Sequence, residues 1–281
     1  MFETNKAQAD YWASAAGRKW IELEHALDTA MAGMLDIVLD AASITQSDHI
    51  IDVGCGTGVS TIEAARTAGN GMATGVDISE QLLERARERS SASGIDNISY
   101  LFADAQTHKF GVSVFDVLIS RVGMSFFEDS AVAMENLKKS MRKNGRMAFV
   151  SWASVSKNPW FKIPKSAAEN RLGSLPKSDP NAPGPTAFQD LERVAGLMKV
   201  AGLKNIQSQS VDFFLTPPNG ISGAASTSSK VGPAARIMKH FDGTSSDASA
   251  IEEAVAEEMS PFESDGVVRV PAVLNLFTCS T

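Results

Sequence analysis

The chain is poor in cysteine, in long apolar runs and in basic residues, and each shortage excludes a class of protein. Cys55 and Cys279 are the only cysteines among 281 residues, which is too few for a disulfide framework or a zinc site. No apolar run approaches the roughly 18–20 residues that a membrane helix needs, and the first residues lack the pattern of a signal peptide. The formal net charge of −7 disfavours a nucleic-acid partner. These shortages predict a cytoplasmic protein with no metal, no membrane span and no nucleic-acid partner.

Strand patterns and helix patterns alternate along the chain from about residue 49. The strand patterns are "HIIDVG", "MATGVD", "NISYLFAD", "FDVLIS" and "GRMAFVSW". The helix patterns between them are "VSTIEAARTAG", "SEQLLERARERSSASG" and "SAVAMENLKKSMRKNG". This alternation is typical of βαβ units, which build a parallel sheet with helices on both faces. Ligands of such sheets bind at the carboxyl ends of the strands, so we expect the functional residues there.

A glycine-rich turn follows the first strand. The stretch "DVGCGTGV" places Gly54, Gly56 and Gly58 directly after it. The dinucleotide fingerprint G-x-G-x-x-G is not met, because Val59 stands at its last position. Asp52 would repel a pyrophosphate, but it gains Coulomb energy beside a sulfonium and an ammonium. Since S-adenosyl-L-methionine carries both cations and no phosphate, Asp52 favours that cofactor over a dinucleotide.

The next two strands also end in an acid. Asp77 ends "GVD", where a carboxylate usually accepts hydrogen bonds from a ribose diol. Asp104 follows the third strand in "FADAQ", where a short polar side chain meets an adenine amino group. An aspartate after a strand often only caps a turn. Three acids at successive strand ends nevertheless favour a ligand site.

These motifs resemble a known family. The stretches "IDVGCGTGVST", "GVDIS", "FADAQTHKF", "FDVLISRVGMSFFED" and "NGRMAFVSW" are similar, in order and spacing, to the motifs of class I S-adenosylmethionine-dependent methyltransferases. "SRVGMSFFED", "NPWFKIP" and "APGPTAFQDLERVAGLMKVAGL" resemble a bacterial branch related to the quinone-biosynthesis C-methyltransferases. The resemblance implies a Rossmann-like α/β fold whose seven-stranded sheet is mostly parallel and has an antiparallel last strand.

The resemblance also implies a role for single residues. Ile78 is expected against the adenine, Asp104 and Ala105 at the adenine edge, and the backbone at Ser120 and Arg121 near the methionine end. Trp20 lies in a segment that is expected to fold across the cofactor, although packing between helices explains it equally well. The implied cofactor site consists of Trp20, Asp52, Gly54, Gly56, Gly58, Asp77, Ile78, Asp104, Ala105, Ser120 and Arg121.

The patterns and the resemblance together divide the chain into six parts. Apolar residues at three- and four-residue spacings before residue 45 predict one amphipathic helix or two in tandem. The stretch "SLPKSDPNAPGPTAF" predicts a loop, and "GPAARIMKHF" and "ASAIEEAVAEEM" predict helices of a cap. The predicted parts are an N-terminal helical segment over the active site (1–45), a cofactor-binding core (46–155), a mobile loop or lid (156–187), a core helix and strand (188–215), a helical cap (216–265) and a final core strand (266–281).

The function that this implies is transfer of a methyl group from S-adenosyl-L-methionine to a small-molecule acceptor. Such a transfer depends mainly on alignment and needs a general base only if the acceptor must lose a proton. His108, four residues past Asp104, is the candidate base, and a loop histidine that bonds to backbone is the alternative. The acceptor atom and the oligomeric state stay open.

The sequence leaves two other functions as alternatives to methyl transfer. One is a sensor or partner subunit that binds the cofactor without turnover, which an intact glycine loop does not exclude. The other is a short-chain dehydrogenase, which needs a Tyr-x-x-x-Lys pair. Neither Tyr11 nor Tyr100 is followed by lysine four residues on, so the sequence disfavours a dehydrogenase.

Overall fold

The fold is organised around one seven-stranded sheet. The structure is a computed structural model that describes residues 3–281, so residues 1 and 2 of the predicted N-terminal segment lie outside the described residues. The strand order is β3-β2-β1-β4-β5-β9-β6. The strands of this sheet are β1 (His49–Val53), β2 (Met72–Asp77), β3 (Ile98–Phe102), β4 (Phe115–Arg121), β5 (Met141–Trp152), β6 (Lys204–Leu215) and β9 (Val270–Ser280). A separate short hairpin pairs β7 (Glu263–Ser264) with β8 (Val267–Val268).

The sheet is parallel except for its last strand. Strands β1 to β5 pair in parallel, and β9 pairs antiparallel to both β5 and β6. Since β5 and β6 are both antiparallel to β9, β6 runs in the same direction as the first five strands. The predicted Rossmann-like sheet with an antiparallel last strand is therefore confirmed.

Pairing in register brings the carboxyl ends of four strands to one edge. Asp52 of β1 lies opposite Gly75 of β2 and Ile119 of β4. Asp77 of β2 lies opposite Phe102, the last residue of β3. The acids that follow β2 and β3, and the acid near the end of β1, therefore share this carboxyl edge.

Helices precede, connect and follow the strands. The four N-terminal helices are α1 (Lys6–Trp12), α2 (Ala15–Glu22), α3 (Glu24–Ala30) and α4 (Ala32–Ala42). The helices that connect strands of the core are α5 (Val59–Thr67), α6 (Glu80–Ser93), α7 (Ser130–Ser140) and α9 (Leu191–Val200). The remaining helices are α8 (Pro159–Leu172), α10 (Gly220–Ser229), α11 (Gly232–His240) and α12 (Ser245–Met259).

The two faces of the sheet bury separate hydrophobic clusters. Successive side chains of a strand point to opposite faces, so Ile50 and Ile51 enter different clusters. The Ile50 side packs against α4, α5 and the helices of the cap, and the Ile51 side packs against α7 and α9. Helices on both faces, as predicted, follow from this alternation.

Three boundaries differ from the sequence-based expectation. The N-terminal pattern forms three short helices between residues 15 and 42 instead of one or two. Helix α7 ends at Ser140, because Met141 already pairs with Phe115 in the sheet. The predicted mobile segment 156–187 is only partly a loop, since α8 occupies residues 159–172. Pro159 begins that helix at a position where the missing N–H costs nothing, and its buried face includes Trp160, Ile163, Pro164 and Ala167 at helical spacing.

Two glycines allow the carboxyl ends of β1 and β4 to approach each other. A Cβ on Gly54 would lie 2.7 Å from the Cα of Gly123. A Cβ on Gly123 would collide with the carbonyl oxygen of Val53 and lie 2.8 Å from the Cα of Gly54. Ser120 bridges the same gap, because its Oγ donates to the Val53 carbonyl oxygen at 2.6 Å. The approach of the two strand ends therefore requires that both positions lack a side chain.

We expect Gly123→Ala to lower the free energy of unfolding by about 1–3 kcal/mol, since an overpacked backbone contact must shift to admit the methyl group. Denaturant unfolding measures the change. Gly196→Ala is the matched control, because no atom lies within 4 Å of a Cβ added there. That variant lies inside α9 and is expected to gain up to about 1 kcal/mol. Equal stability of Gly123→Ala and the wild type would contradict the close approach.

Candidate functional site

The glycine loop is tied to the end of β2 and leaves free space at one position. The backbone N–H groups of Gly54 and Cys55 donate to the Val76 carbonyl oxygen at 2.8 and 3.1 Å. A Cβ added to Gly56 would meet no atom closer than the indole nitrogen of Trp20, at 4.0 Å. Gly56 therefore borders open space, and Trp20 stands across it as the predicted covering aromatic.

Gly58, the third predicted glycine, has a different role. Its φ of +87° favours glycine, and an added Cβ would lie 2.5 Å from the Tyr100 hydroxyl oxygen. Ala86 of α6 would be only 2.9 Å away. Gly58 is thus required for the packing of the loop against α6 and β3. Of the three glycines, Gly56 is the one at which an added Cβ would meet no atom closer than 4.0 Å, and ligand binding by all three stays a prediction.

Asp77 holds the loop from the end of β2. One carboxylate oxygen accepts from the backbone N–H of Gly56 at 2.8 Å, and the other accepts from that of Ser79 at 2.9 Å. Burial raises the pKa of Asp77 to about 6, although these two hydrogen bonds oppose the change. Each carboxylate oxygen has two lone pairs, so both oxygens retain acceptor capacity for a ligand.

Asp52 is fully buried and only half satisfied. Its Oδ2 accepts from the Ser60 hydroxyl at 2.6 Å and from the Thr61 hydroxyl at 2.7 Å, which ties β1 to the start of α5. Among residues 3–281, its Oδ1 has no hydrogen-bond partner. Burial raises the pKa of Asp52, and the two hydroxyl groups and the charge of Arg121 oppose that change. A buried carboxylate oxygen without a donor is costly unless a ligand supplies one.

Arg121, the last residue of β4, offers the complementary unpaired group. Its Nη2 donates to Asp28 Oδ1 at 3.0 Å. Its Nη1 is buried and has no hydrogen-bond partner in the part of the chain that the structure describes. One unpaired acceptor on Asp52 and one unpaired donor on Arg121 therefore lie at the ends of neighbouring strands. The family resemblance implies a role only for the backbone of Arg121, and no sequence pattern marks its side chain.

Asp104 already binds a residue from the N-terminal segment. The side-chain amide of Asn5 donates to Asp104 Oδ1 and Oδ2 at 2.9 and 3.0 Å, and the N–H of Gln106 donates to Oδ1 at 2.9 Å. The side-chain oxygen of Asn5, Oδ1, in turn accepts from the backbone N–H of Glu128 at 2.8 Å. Asn5 thus fastens the N-terminal segment to the loops after β3 and β4. No sequence pattern marks this contact, which joins residues about a hundred positions apart.

Aromatic side chains of the N-terminal segment cover the same edge. The Trp12 ring lies 5.8 Å from Trp20 and 5.9 Å from Phe126, measured between ring centroids, with edge-on geometry. The Trp12 carbonyl oxygen accepts from the Ser79 hydroxyl at 3.1 Å, directly after β2. These contacts hold Trp12 beside the end of β2, and the predicted role of the segment over an active site stays a prediction.

The other predicted residues occupy varied surroundings. Ile78 is half-buried between Asp77 and Ser79, and Ala105 is buried. The Ser120 hydroxyl already has two hydrogen bonds within the protein. It donates to the backbone carbonyl oxygen of Val53 and accepts from the backbone N–H of Met124 at 3.1 Å.

His108 lies on the side of the loop that faces α7. Its ring packs edge-on against Phe110 at 4.7 Å, and its carbonyl oxygen accepts from the Asn136 side chain at 2.8 Å. The N–H of His108 donates to the Asp104 carbonyl oxygen at 2.8 Å. These contacts favour a packing role, and the role of His108 as a base stays a prediction.

The sheet order, the glycine loop after β1 and the acids at the carboxyl edge define the class of doubly wound α/β proteins that bind an adenosine-containing ligand at that edge. The sequence model of the family described as "Methyltransferase domain" matches residues 44–195, more than half of the chain. The chain therefore belongs to this family of S-adenosylmethionine-dependent methyltransferase domains. The predicted family is confirmed, and the finer resemblance to quinone-biosynthesis enzymes stays a prediction.

Two proteins similar to this chain are named as methyltransferases. Aklanonic acid methyltransferase DauC from Streptomyces sp. strain C5 is 30% identical over 115 residues, which is 41% of this chain and 52% of DauC. The 27-O-demethylrifamycin SV methyltransferase of Amycolatopsis mediterranei is 24% identical over 199 residues, 70% of this chain and 69% of that protein. The match with DauC thus spans about half the length of that relative.

One solved structure with the same fold contains a cofactor product. Phosphoethanolamine N-methyltransferase 2 of Haemonchus contortus, in complex with phosphomonomethylethanolamine and S-adenosylhomocysteine, superposes with a TM-score of 0.54. The two are 15% identical, and the match covers 89% of this chain and 52% of the other. At this identity the likeness shows a common fold.

Among residues 3–281, no helix combines the length and the apolar character that a transmembrane span requires.

The raised pKa of Asp77 predicts a pH dependence of ligand binding. An ionised Asp77 accepts hydrogen bonds from a ribose diol, whereas a protonated one must first lose its proton. Since its pKa is about 6, the Kd of S-adenosyl-L-homocysteine should rise about tenfold as the pH falls from about 7.5 to about 5. Isothermal titration across this range measures the effect.

The variant Asp77→Asn is the control for this titration. It should bind more weakly at neutral pH and show a flat profile, because it has no carboxyl proton to lose. A slope that persists in Asp77→Asn would assign the proton to another acid.

Proposed function

We propose that this protein transfers a methyl group from S-adenosyl-L-methionine to a small-molecule acceptor. The observation that carries the proposal is the pair of unpaired buried atoms, Asp52 Oδ1 and Arg121 Nη1. The amino-acid end of the cofactor is a zwitterion, whose ammonium group donates to a carboxylate and whose carboxylate accepts from a guanidinium. A pyrophosphate offers only negative charge and would leave Asp52 without a donor. The site thus fits this cofactor better than a dinucleotide.

The other acids have acceptor capacity for the adenosine part. Asp77 accepts one hydrogen bond on each oxygen, so two lone pairs remain for a ribose diol. Asp104 accepts three hydrogen bonds, which leaves one acceptor position on Oδ2 for an adenine amino group. Ile78 and the backbone of Ala105 would border the base, as the family resemblance implies. Asn5 then stands beside the adenine edge and closes it.

The contribution of the chain to the reaction is alignment and exclusion of water. The sulfonium of the bound cofactor supplies a methyl carbon that is already activated. Gly56 leaves room for the ligand, and Trp20 borders that room at 4.0 Å. The N-terminal segment covers this edge through Asn5 and Trp12. Fixing the donor carbon opposite a held acceptor supplies most of such a rate enhancement.

The named relatives support a small-molecule acceptor. Aklanonic acid and 27-O-demethylrifamycin SV are both small molecules by the names of the enzymes that methylate them. A cytoplasmic location and the absence of a nucleic-acid partner belong to the same proposal. The alternative of a binding subunit without turnover is not favoured, because DauC and the rifamycin enzyme are named as methyltransferases.

Isothermal titration with S-adenosyl-L-homocysteine and with NADH tests the cofactor. We expect the first ligand to bind and NADH to give no heat of binding. Incubation with S-adenosyl-L-methionine and a panel of small metabolites then tests transfer, through release of S-adenosyl-L-homocysteine. Binding of NADH without binding of S-adenosyl-L-homocysteine would contradict the proposal.

We propose that His108 acts as the general base when the acceptor must lose a proton. His108→Ala should then lower kcat by about 10²–10⁴ and leave the Kd of S-adenosyl-L-homocysteine unchanged. The low-pH limb of the rate profile should also disappear, because no imidazole remains to be protonated. Turnover equal to the wild type would assign His108 to packing against Phe110, and transfer would then rest on alignment alone.

A further inference from the structure

A chain of charged side chains of alternating sign leads from α6 to the end of β4. Arg85 Nε donates to Glu24 Oε1 at 2.8 Å. Glu24 Oε2 lies 3.6 Å from Arg89 Nη1, and Arg89 Nη2 lies 2.9 Å from Asp28 Oδ2. Asp28 Oδ1 accepts from Arg121 Nη2 at 3.0 Å. The two acids, both from α3, therefore link arginines that belong to α6 and β4.

Asp28 is the only member of this chain that contacts arginines on both walls of the candidate site. On one side, Arg89 also donates to the carbonyl oxygen and the hydroxyl of Thr57, at 3.2 and 2.9 Å, within the glycine loop. On the other side, Arg121 ends β4. The side chains of Asp28 and Arg121 are only 15% and 11% exposed. Water therefore screens their interaction weakly, and an ion pair in this setting holds its geometry.

The guanidinium group is planar and rigid, so fixing one of its nitrogens fixes the direction of the other. Asp28 holds Arg121 Nη2, and the buried Nη1 then has one direction and no partner. Asp52 Oδ1 is also buried and without a partner, and the charges of the two residues interact. The two unpaired atoms do not form a hydrogen bond with each other. One zwitterionic group could therefore bind both of them, with its ammonium at Asp52 Oδ1 and its carboxylate at Arg121 Nη1.

We propose that Asp28 is a positioning residue, which directs Arg121 Nη1 at the carboxylate of the cofactor's amino-acid end. This inference rests on the proposed function, because it takes the ligand to be S-adenosyl-L-methionine. Asp28 itself touches no ligand. It acts through Arg121, whose Nη2 donates to Asp28 Oδ1 at 3.0 Å.

The test compares two ligands that share the adenosine part. S-adenosyl-L-homocysteine has the amino-acid end, and 5′-methylthioadenosine lacks it. Asp28→Asn keeps the shape of the side chain and removes its charge. We expect the Kd of S-adenosyl-L-homocysteine to rise about tenfold, as for loss of one charge-assisted hydrogen bond. The Kd of 5′-methylthioadenosine should stay unchanged.

Asp116→Asn is the matched control. Asp116 also pairs with an arginine, Arg142, and accepts from the N–H of His49, but it lies at the amino end of the strands. We expect a comparable change in thermal unfolding and no change in the Kd of either ligand. The double variant Asp28→Asn with Arg121→Ala should bind no more weakly than Arg121→Ala alone, because Asp28 has then lost the group through which it acts.

Each other outcome overturns the inference in a recognisable way. Equal weakening of both ligands would show that Asp28 supports the fold or the adenine end. An unchanged Kd with a higher KM for the acceptor would assign Arg121 to an anionic acceptor. If Asp28→Asn does not fold, Arg121→Lys keeps the charge, loses the rigid fork and must show the same selective loss for S-adenosyl-L-homocysteine. Failure of the wild type to bind either ligand would overturn the proposed function itself.

Discussion

The structure depends on how one buried carboxylate, that of Asp52, is accommodated. An ionised group without water costs several kcal/mol unless hydrogen bonds and opposite charge offset the loss of hydration. Ser60 and Thr61 satisfy one oxygen and thereby fix the start of α5 to the end of β1. Arg121 supplies the opposite charge from the neighbouring strand. The second oxygen has no partner among residues 3–281. We propose that the ammonium group of the cofactor binds there, so that the constraint that orders the strand ends would also select the cofactor.

The N-terminal segment contacts residues of the candidate site although it lies outside the matched family region, which begins at residue 44. Asn5 binds Asp104 at the β3 end, and Asp28 binds Arg121 at the β4 end. Trp20 stands between these two points, beside Gly56. The segment therefore bridges the adenine end and the methionine end of the candidate site. A domain of residues 44–195 alone would lack the groups that hold Asp104 and Arg121 in place.

Local patterns in the sequence were sufficient for the parallel strands β1 to β5 and for the positions of the three acids, whereas the antiparallel last strand was expected from the family resemblance. The alternation of strands and helices follows from the spacing of apolar residues within each element. The glycine loop is visible in the sequence because its glycines stand two residues apart. Helix α8 was missed although its buried face has helical spacing, because the prolines and glycines that follow it suggested one long loop. Asn5 and Asp28 were missed for a different reason. Their roles arise from contacts between residues about a hundred positions apart, and a single sequence contains no signal for such pairs.

The crystal structure of the complex with S-adenosyl-L-homocysteine tests the central claim most directly. The account predicts that the amino nitrogen of the ligand lies within about 3.2 Å of Asp52 Oδ1 and that its carboxylate lies within about 3.2 Å of Arg121 Nη1. Both atoms would then have the partners that they lack in the protein alone. A complex in which the amino-acid end lies elsewhere, with both atoms still unpaired, would contradict the account.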